Sequence, residues 1–297
     1  MPSYLSHAIL GDDVYNCSKN NNLFKINIEP NEIRAYSLGI DLSMTSLTLK
    51  KDPHNNKTKD FFLYIIKYIK NNKLYYDKHV MALLYGHICH YYFDINAHPY
   101  IFYLSKKYKL TTIIPNHYMI EGYLSSYLSN KILNKNIFSI DNNYFSNVNL
   151  SNHNVINLLN NTYKKVYSCV DSSAAYKNTL HLFCKLDDLY KKTYLSNEDI
   201  INLTGFNLFL KNNNIKRDNL NNENHNKFLN FNDIACYYSF LEMYIKSLYD
   251  TLNAIEEINK CFYYSAPFSI IENLFDDISY DSALACSKSK LLDLKIR

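Results

Sequence analysis

Apolar residues recur every three or four positions along most of this chain, which is the spacing of one face of an α-helix. Between residues 57 and 72, for example, Phe61, Ile65 and Ile69 lie four positions apart, and Thr58 stands near the start of the run. A hydroxyl side chain there favours a helix start. Similar periodicity predicts seven helical stretches, covering roughly residues 3–17, 57–72, 77–97, 115–134, 153–193, 233–260 and 266–287.

Signals for β-strands are weak. The chain has only five glycines and six prolines, and it has few runs of alternating β-branched residues bounded by turns. Polar stretches rich in asparagine are typical of surface loops rather than of linkers between domains. They occupy residues 18–31, 135–152 and 211–232. The pattern predicts an all-α fold in a single domain over 1–297, in which 131–297 adds helices and Asn-rich loops to a chemically distinctive half, 1–130.

Charge and apolar content narrow the classes of partner. The net charge is +4 over 297 residues, without a concentrated basic tract, so nucleic acid is a less favoured partner. The 29 tyrosines could suggest a surface on which nucleic-acid bases stack. We discount this signal, because the joint abundance of Asn, Lys, Ile and Tyr is typical of the codon bias of an AT-rich genome. No apolar run approaches 18 residues, and we therefore expect no transmembrane segment.

The N-terminus and the cysteines bear on the compartment. The opening MPSYLSHAILGDDVYNCSKN lacks a basic region, a long apolar region and a small-residue cleavage site, so we expect no signal peptide. The seven cysteines have no paired spacing, which suits a reducing compartment better than a disulfide framework. These features predict a cytoplasmic protein, with Cys89 as a residue of the core.

The most informative segment of the chain is HICHYYFDINAH, which begins at His87. It places His87, His90, Asp94 and His98 at intervals of three, four and four residues. On a helix these positions share one face, so that three imidazoles and a carboxylate can converge. Pro99 follows His98 and disfavours helical conformation there, so we expect the helix to end at His98, whose side chain can then reach a different metal ion.

Further candidate ligands lie on both sides of this segment. His117 and Glu121 repeat the i, i+4 spacing, and Pro115 stands where their helix would begin. His7, Asp41 and His54 lie in earlier segments of the chain. Imidazole and carboxylate groups together are typical of hydrolytic zinc sites, although manganese or iron would also accept them.

These residues carry a resemblance to a known family. The segments MPSYLSHAILGDDVY, LGID, PHNNKTKDFF, YGHICHYYFDINAHPYI and NHYMIEGYL resemble the bacterial zinc-dependent phospholipase C family over about residues 1 to 130. The wider superfamily includes zinc-dependent single-strand nucleases and is mostly helical, with three clustered zinc ions. The resemblance therefore implies a helical fold and a site for two or three Zn²⁺ ions.

The resemblance also implies a ligand set for each ion. The first would bind Asp41, His54, His90 and Asp94. Another would bind His98, His117 and Glu121. The remaining ion would bind His7, a bridging Asp94 and the amino and carbonyl groups of the N-terminal residue. Asp41 is either the catalytic residue that orients or deprotonates the attacking water or a plain ligand. His87 has no ligand role in the family, and we expect it to support the cluster from outside while pointing toward it.

The chain departs from the family pattern at two places. Mature family members begin at a tryptophan, whereas this chain has none and starts at Met1. Removal of Met1 would leave the amine of Pro2 near His7 as a replacement ligand. Around the predicted site, Leu42 and Lys51 stand where a choline-binding enzyme would offer aromatic side chains, so a choline head group is not expected.

Three functions remain open at this point. The first is a zinc phosphodiesterase acting on a phospholipid or another phosphate ester, with possible peripheral membrane contact. The second is a single-strand nuclease-like enzyme, and the third is a non-catalytic, zinc-stabilised scaffold or interaction protein. An HD-type phosphohydrolase is disfavoured because the chain has no adjacent His-Asp pair. Four isolated histidines are expected to be core residues rather than ligands, except that exposure in an Asn-rich loop explains His225; they are His79, His153, His181 and His225.

Overall fold

A computed structural model describes residues 4–108, 116–134, 148, 150–192 and 220–288. The helices of the first half are α1 Tyr4–Asn20, α2 Pro30–Tyr36, α3 Thr58–Asn71, α4 Lys78–Lys107 and α5 Asn116–Leu133. Those of the second half are α6 His153–Tyr167, α7 Ser172–Lys192, α8 Phe240–Tyr263 and α9 Ser269–Glu272. Short 3₁₀ turns occupy Gly39–Ser43, Pro53–Asn55 and Leu74–Tyr76. The fold is all-α, as predicted.

Helix α4 is the central element. Every residue from Val80 to Asp94 is buried, which is the pattern of a helix surrounded by protein on all sides. Helices α1, α2 and α8 pack around it. The approach of α2 depends on Gly86, since a Cβ atom there would lie 2.4 Å from the carbonyl carbon of Tyr36. This packing places the middle of the HICHYYFDINAH segment in the core.

The predicted end of this helix at His98 is wrong. Helix α4 continues through Pro99 to Lys107. A proline inside a helix removes one backbone hydrogen bond and costs about 3 kcal/mol. The residues that follow, Tyr100, Ile101 and Leu104, are all buried, and their burial offsets that cost. His98 therefore stays on the same helix face as Asp94.

The predicted helix over 266–287 is also wrong. The single turn α9 forms, the chain then folds back through a bridge between Ile278 and Ala285, and helical residues appear again only from 286. Its backbone groups bond to other segments instead: the amide of Tyr280 donates to the carbonyl of His54 at 2.9 Å. The hydroxyl of Thr58 donates to the carbonyl of Ile278 at 2.8 Å. Tertiary hydrogen bonds thus replace helical ones.

Smaller differences concern loops and breaks. The predicted stretch 153–193 divides into α6 and α7 at Ser168, which adopts a left-handed conformation with φ of 58°. A two-stranded antiparallel hairpin pairs β1 Phe228–Leu229 with β2 Ala235–Cys236, with Phe228 opposite Cys236. It begins inside the predicted loop 211–232, of which residues up to 219 lie outside the described ones.

Two sequence expectations concern chemistry away from the site. All seven cysteines lie in the described ranges, where none of them forms a disulfide, and Cys89 is buried as predicted. Over the residues that the structure describes, no helix combines the length and the apolar character needed to cross a bilayer.

Candidate metal centre

Helix α4 supplies the middle of the candidate centre. His90, Asp94 and His98 follow one another at four-residue intervals, and the first two are 1% exposed. Because α4 is enclosed by other helices, these side chains point into protein rather than into solvent. The carboxylate of Asp94 lies within 4 Å of both imidazoles, with His90 Nε2 3.1 Å from Oδ2 and His98 Nε2 3.6 Å from Oδ1.

The buried group consists of His7, His90 and Asp94. The carboxylate of Asp94 lies between the two imidazoles, 3.1 Å from His7 Nε2 through Oδ1 and 3.1 Å from His90 Nε2 through Oδ2. One ligand atom from each residue lies within 4.8 Å of the others. Helix α1 presents His7, whose carbonyl accepts a hydrogen bond from the Ser37 hydroxyl at 2.7 Å. The His7 and His90 rings stack with centroids 4.5 Å apart.

A second group consists of Asp41, His54 and His90. One ligand atom from each of these residues also lies within 4.8 Å of the others. Asp41 and His54 lie on 3₁₀ turns and are partly exposed, with His54 Nε2 2.9 Å from Asp41 Oδ1. Since His90 belongs to both groups, the two form one continuous cluster. Its inner end is buried and its outer end opens to solvent.

Several ligand atoms in the cluster are buried without a hydrogen-bond partner among the described residues. They are His7 Nδ1, His90 Nδ1 and Nε2, Asp94 Oδ2 and His98 Nδ1. His90 Nε2 and Asp94 Oδ2 lie 3.1 Å apart but are not in hydrogen-bonding geometry. Leaving buried polar atoms unpaired is costly. A cation between lone pairs removes that cost, and imidazole with carboxylate is a donor set that suits zinc.

The electrostatics of the cluster favour ionised carboxylates. Burial raises the pKa of Asp94, but the imidazoles of His90, His98 and His7 outweigh it and hold the pKa well below its ordinary value. Burial lowers the pKa of His98, but Asp94 and Glu121 raise it to about 10. The ionised carboxylates are thus stabilised by positive charge nearby, which either protonated imidazoles or a metal ion can supply.

At the outer end, the interactions between imidazoles and carboxylates again outweigh the effect of burial on each pKa. Burial lowers the pKa of His54, whereas hydrogen bonds to Asp41 and Asp52 raise it well above its ordinary value. Burial raises the pKa of Asp41, but His54 and His90 bring it far below the usual range. Asp41 is therefore ionised at neutral pH.

The predicted group of His98, His117 and Glu121 is only partly assembled. His98 Nε2 lies 3.4 Å from Glu121 Oε1, and Glu121 is buried on α5. The half-buried His117 stacks on Phe102 with ring centroids 5.7 Å apart. Across the described ranges, the triads whose ligand atoms all lie within 4.8 Å are the two given above, and neither contains His117. The predicted N-terminal ligands and Pro115 lie outside the described residues.

The orientation predicted for His87 differs from what the structure shows. Its Nδ1 lies 2.8 Å from the Leu83 carbonyl, and its Nε2 lies 2.6 Å from the Tyr176 hydroxyl. The carbonyl can only accept, so Nδ1 carries the proton and the hydroxyl of Tyr176 donates to Nε2. The ring stacks between Phe61 and Tyr176. His87 therefore supports α4 by packing, not by orienting a candidate ligand.

The buried His87 predicts a pH dependence of stability. Burial lowers its pKa to about 3, whereas an unfolded histidine titrates near 6.5. Below about pH 6.5 the unfolded chain binds a proton that the folded chain does not, so stability falls as pH decreases, by about 1.4 kcal/mol per unit from this group. Urea unfolding of metal-free protein between pH 7 and 5 measures the slope. His87→Gln should flatten it by about that amount, and an unchanged slope would contradict the neutral, buried state of His87.

The other histidines lie away from the cluster, but the prediction that they belong to the core is wrong for His153 and His181. His79 is part-buried and pairs with the buried carboxylate of Glu32, with Nδ1 to Oε1 at 2.7 Å. The side chains of His153, His181 and His225 are exposed.

The structure adds residues to the site that the sequence reasoning missed. Gly39 adopts φ of 51° and lies against the His90 ring, and the glycine in LGID was its available signal. Asp52 accepts from the backbone amide of His54 at 3.0 Å and contacts its Nδ1. Tyr280 and Asp281 come from the segment after α9, where no motif marks them and where the periodicity predicted a helix.

Comparisons with known proteins agree with this geometry. The family model described as zinc dependent phospholipase C matches residues 4–173. No curated protein and no solved structure gives a significant match to the chain. The matched range contains every residue of both ligand groups and spans more than half of the chain. The chain therefore belongs to the zinc-dependent phospholipase C family.

Proposed function

We propose that this protein is a zinc-dependent phosphoric ester hydrolase that cleaves a phospholipid or a related phosphodiester. The observation that carries the proposal is the cluster formed when His90 joins His7 and Asp94 to Asp41 and His54. Its inner atoms are buried and unpaired, while its outer end is open. A multinuclear hydrolytic site needs both features, because the ions must be held firmly and one side must admit substrate.

We propose that the two groups of side chains found in the structure are the ligands of two separate zinc ions. Asp41, His54 and His90 hold one ion, and His7 and Asp94 hold another, with Asp94 bridging. His98, His117 and Glu121 form a third ligand set, so the site takes two or three zinc ions. The proximity of His98 to both Asp94 and Glu121 supports a third ion beside the other two.

The chemistry follows from these positions. Zinc, when bound, lowers the pKa of a water molecule and neutralises charge on the phosphodiester in the transition state. Asp41 lies at the open end with its side chain 36% exposed and its Oδ1 held by His54. Its low pKa makes it a hydrogen-bond acceptor rather than an efficient base near neutral pH. We therefore assign Asp41 the role of orienting the attacking water.

The surface beside Asp41 supports a lipid substrate. The 3₁₀ turn that carries Asp41 leads into Met44 and Leu47, whose exposed fractions are 53% and 96%. The loop is held in place by Asp171, which accepts from the Leu47 amide at 2.7 Å. Lys50 and Lys51 follow the apolar tip and are exposed. An ordered apolar tip followed by lysines suits peripheral contact with a membrane surface. Leu42 is buried, so it offers no surface to a choline group.

The test combines metal content with hydrolysis. Purified protein is analysed for zinc per chain, and cleavage of bis(p-nitrophenyl) phosphate, phospholipid vesicles and single-stranded DNA is measured before chelation, after it and after zinc is restored. We expect two or three zinc ions and chelator-reversible cleavage, with vesicles preferred over DNA. Leu47→Asp should reduce cleavage of vesicles while leaving the soluble ester unaffected, because only the former requires the apolar tip.

Each remaining outcome opposes the proposal in a different way. Preference for single-stranded DNA would assign the nuclease-like function instead. Bound zinc that raises the unfolding temperature but supports no cleavage would assign a zinc-stabilised scaffold. Failure to bind zinc would overturn the site itself. His181→Gln, which alters an exposed histidine outside the cluster, is the control for loss of an imidazole.

A further inference from the structure

The Nδ1 atoms of two candidate ligands, His54 and His98, each lie within 4 Å of a carboxylate oxygen. On the His54 side, Nδ1 is 2.8 Å from Asp52 Oδ1. The other oxygen of Asp52 accepts a hydrogen bond from Asn55 Nδ2 at 3.0 Å. Asp52 is thus fixed at both oxygens, and His54 is held with its Nε2 directed at Asp41.

The same asparagine reaches the carboxylate beside His98. Asn55 Nδ2 donates to Asp281 Oδ2 at 2.7 Å, and Asp281 Oδ1 lies 3.7 Å from His98 Nδ1. That nitrogen is buried and lacks a hydrogen-bond partner in the part of the chain that the structure describes. The two hydrogens of one amide group therefore serve two carboxylates, each of which faces a different histidine.

The segment that carries Asp281 is locked onto the 3₁₀ turn of His54. The Ser279 hydroxyl donates to Asn55 Oδ1 at 2.5 Å, and it accepts from the Asp281 amide at 3.1 Å. The Tyr280 amide donates to the His54 carbonyl at 2.9 Å. This segment lies beyond residues 4–173, where the family model matches. The site is thus completed by a part of the chain that the family match does not cover.

We propose that Asp52, Asn55 and Asp281 form one hydrogen-bonded bridge that positions both His54 and His98 for metal binding. A carboxylate at Nδ1 keeps the proton on that nitrogen and leaves the Nε2 lone pair free for a metal ion. Nε2 of His54 faces Asp41, and Nε2 of His98 faces Asp94 and Glu121. The bridge therefore couples the open end of the cluster to its third ligand set. This inference rests on the proposed zinc site but not on its activity.

The length of the last contact fits this role. At 3.7 Å, Asp281 Oδ1 and His98 Nδ1 are at ion-pair distance but beyond a normal hydrogen bond. Hydrogen bonds around catalytic groups are often long before ligands bind and shorten afterwards. Asp281 is 32% exposed at its side chain, so it has room to move toward His98 when the imidazole is drawn to a metal ion.

The test replaces Asp281 with asparagine and measures two quantities. The zinc dissociation constants of the variant and the parent are compared by competition with a chromophoric chelator, and we expect about a 10- to 100-fold weaker site. Histidine ¹⁵N NMR on zinc-loaded protein, and on metal-free protein at an alkaline pH where the imidazoles are neutral, reports which ring nitrogen carries the proton. Parent protein should show His54 and His98 with the proton on Nδ1, and Asp281→Asn should shift His98 toward the Nε2-protonated form.

The control is Asp276→Asn, which makes the same change in the same segment. Asp276 is exposed and contacts Tyr91 through its backbone atoms, so neither zinc affinity nor tautomers should change. If Asp281→Asn lowers the unfolding temperature of metal-free protein, Asp52→Asn replaces it, since its side chain is 53% exposed and asparagine retains helix-capping ability. That variant should weaken zinc binding and alter the His54 tautomer.

The proposal is overturned if both asparagine variants keep parental zinc affinity and parental tautomers. Failure of the proposed function can be distinguished from this result. If the protein binds zinc but cleaves no ester, zinc affinity and histidine tautomers can still be measured and compared between parent and variants. The tautomers of metal-free protein can still be measured at alkaline pH even if zinc does not bind.

Discussion

Asp94→Asn is expected to abolish stable zinc binding and to reduce phosphodiester cleavage by on the order of 10³-fold or more. The two oxygens of Asp94 lie 3.1 Å from His7 Nε2 and from His90 Nε2. Asparagine has nearly the same shape but no charge, and its amide nitrogen cannot donate a lone pair to a metal ion. One substitution therefore weakens the binding of both ions that Asp94 is proposed to bridge.

The measurements for this variant separate a lost metal from a lost fold. Zinc content and bis(p-nitrophenyl) phosphate cleavage are measured beside circular dichroism and thermal unfolding with and without zinc. We expect a helical spectrum like that of the parent, together with loss of the stabilisation that zinc gives the parent. Asp60→Asn, at an exposed position early in α3, is the matched control. Full zinc content and full activity in Asp94→Asn would refute the bridging role.

The core of the site was predictable because it depends on local geometry. His90, Asp94 and His98 needed only helical spacing to share a face, and α4 provides it. The prediction that the helix ends at His98 failed because it weighed the local effect of Pro99 without the burial of the residues beyond it. Periodicity reports what one segment favours, and it does not report the packing that overrides that preference.

The remainder of the site depends on contacts across long stretches of sequence. Asp281 approaches Asn55 from 226 positions away, and the segment that carries it was predicted to be helical. Its backbone groups bond to the turn around His54 and to α3 instead. Such pairings leave no periodic signal. The ordered series of candidate ligands in the first half could be recognised, whereas the residues proposed to orient them could not.

The second large effect is expected at Gly39, which allows His90 to occupy its position. Its φ of 51° lies in the left-handed region, and a Cβ atom there would lie 2.3 Å from His90 Cγ and 2.4 Å from His90 Cβ. Because His90 belongs to a helix that is buried on all sides, neither the ring nor the backbone can retreat easily. Gly39→Ala should therefore reduce the free energy of unfolding by about 2–5 kcal/mol, combining left-handed strain with overpacking.

Gly39→Ala should also lose zinc, because any relief of the overlap moves the ligand that both groups share. Urea unfolding and zinc content measure the two effects. Gly11→Ala is the control, because a Cβ there would meet Arg34 Cα and the Ser37 side chain at 3.1 Å, which is a tight contact but not one with a candidate ligand. It should lose some stability, while its zinc content should match that of the parent.

A further variant, Gly39→Asn, separates conformation from overlap. Asparagine tolerates the left-handed region better than alanine does, but its Cβ meets the same ring. If backbone strain dominates, asparagine recovers most of the stability and the zinc. If overlap with His90 dominates, as the 2.3 Å distance indicates, asparagine recovers only about 1 kcal/mol of stability and the zinc remains lost. A Gly39→Ala protein with parental zinc content would show that the turn moves away from α4 without disturbing His90.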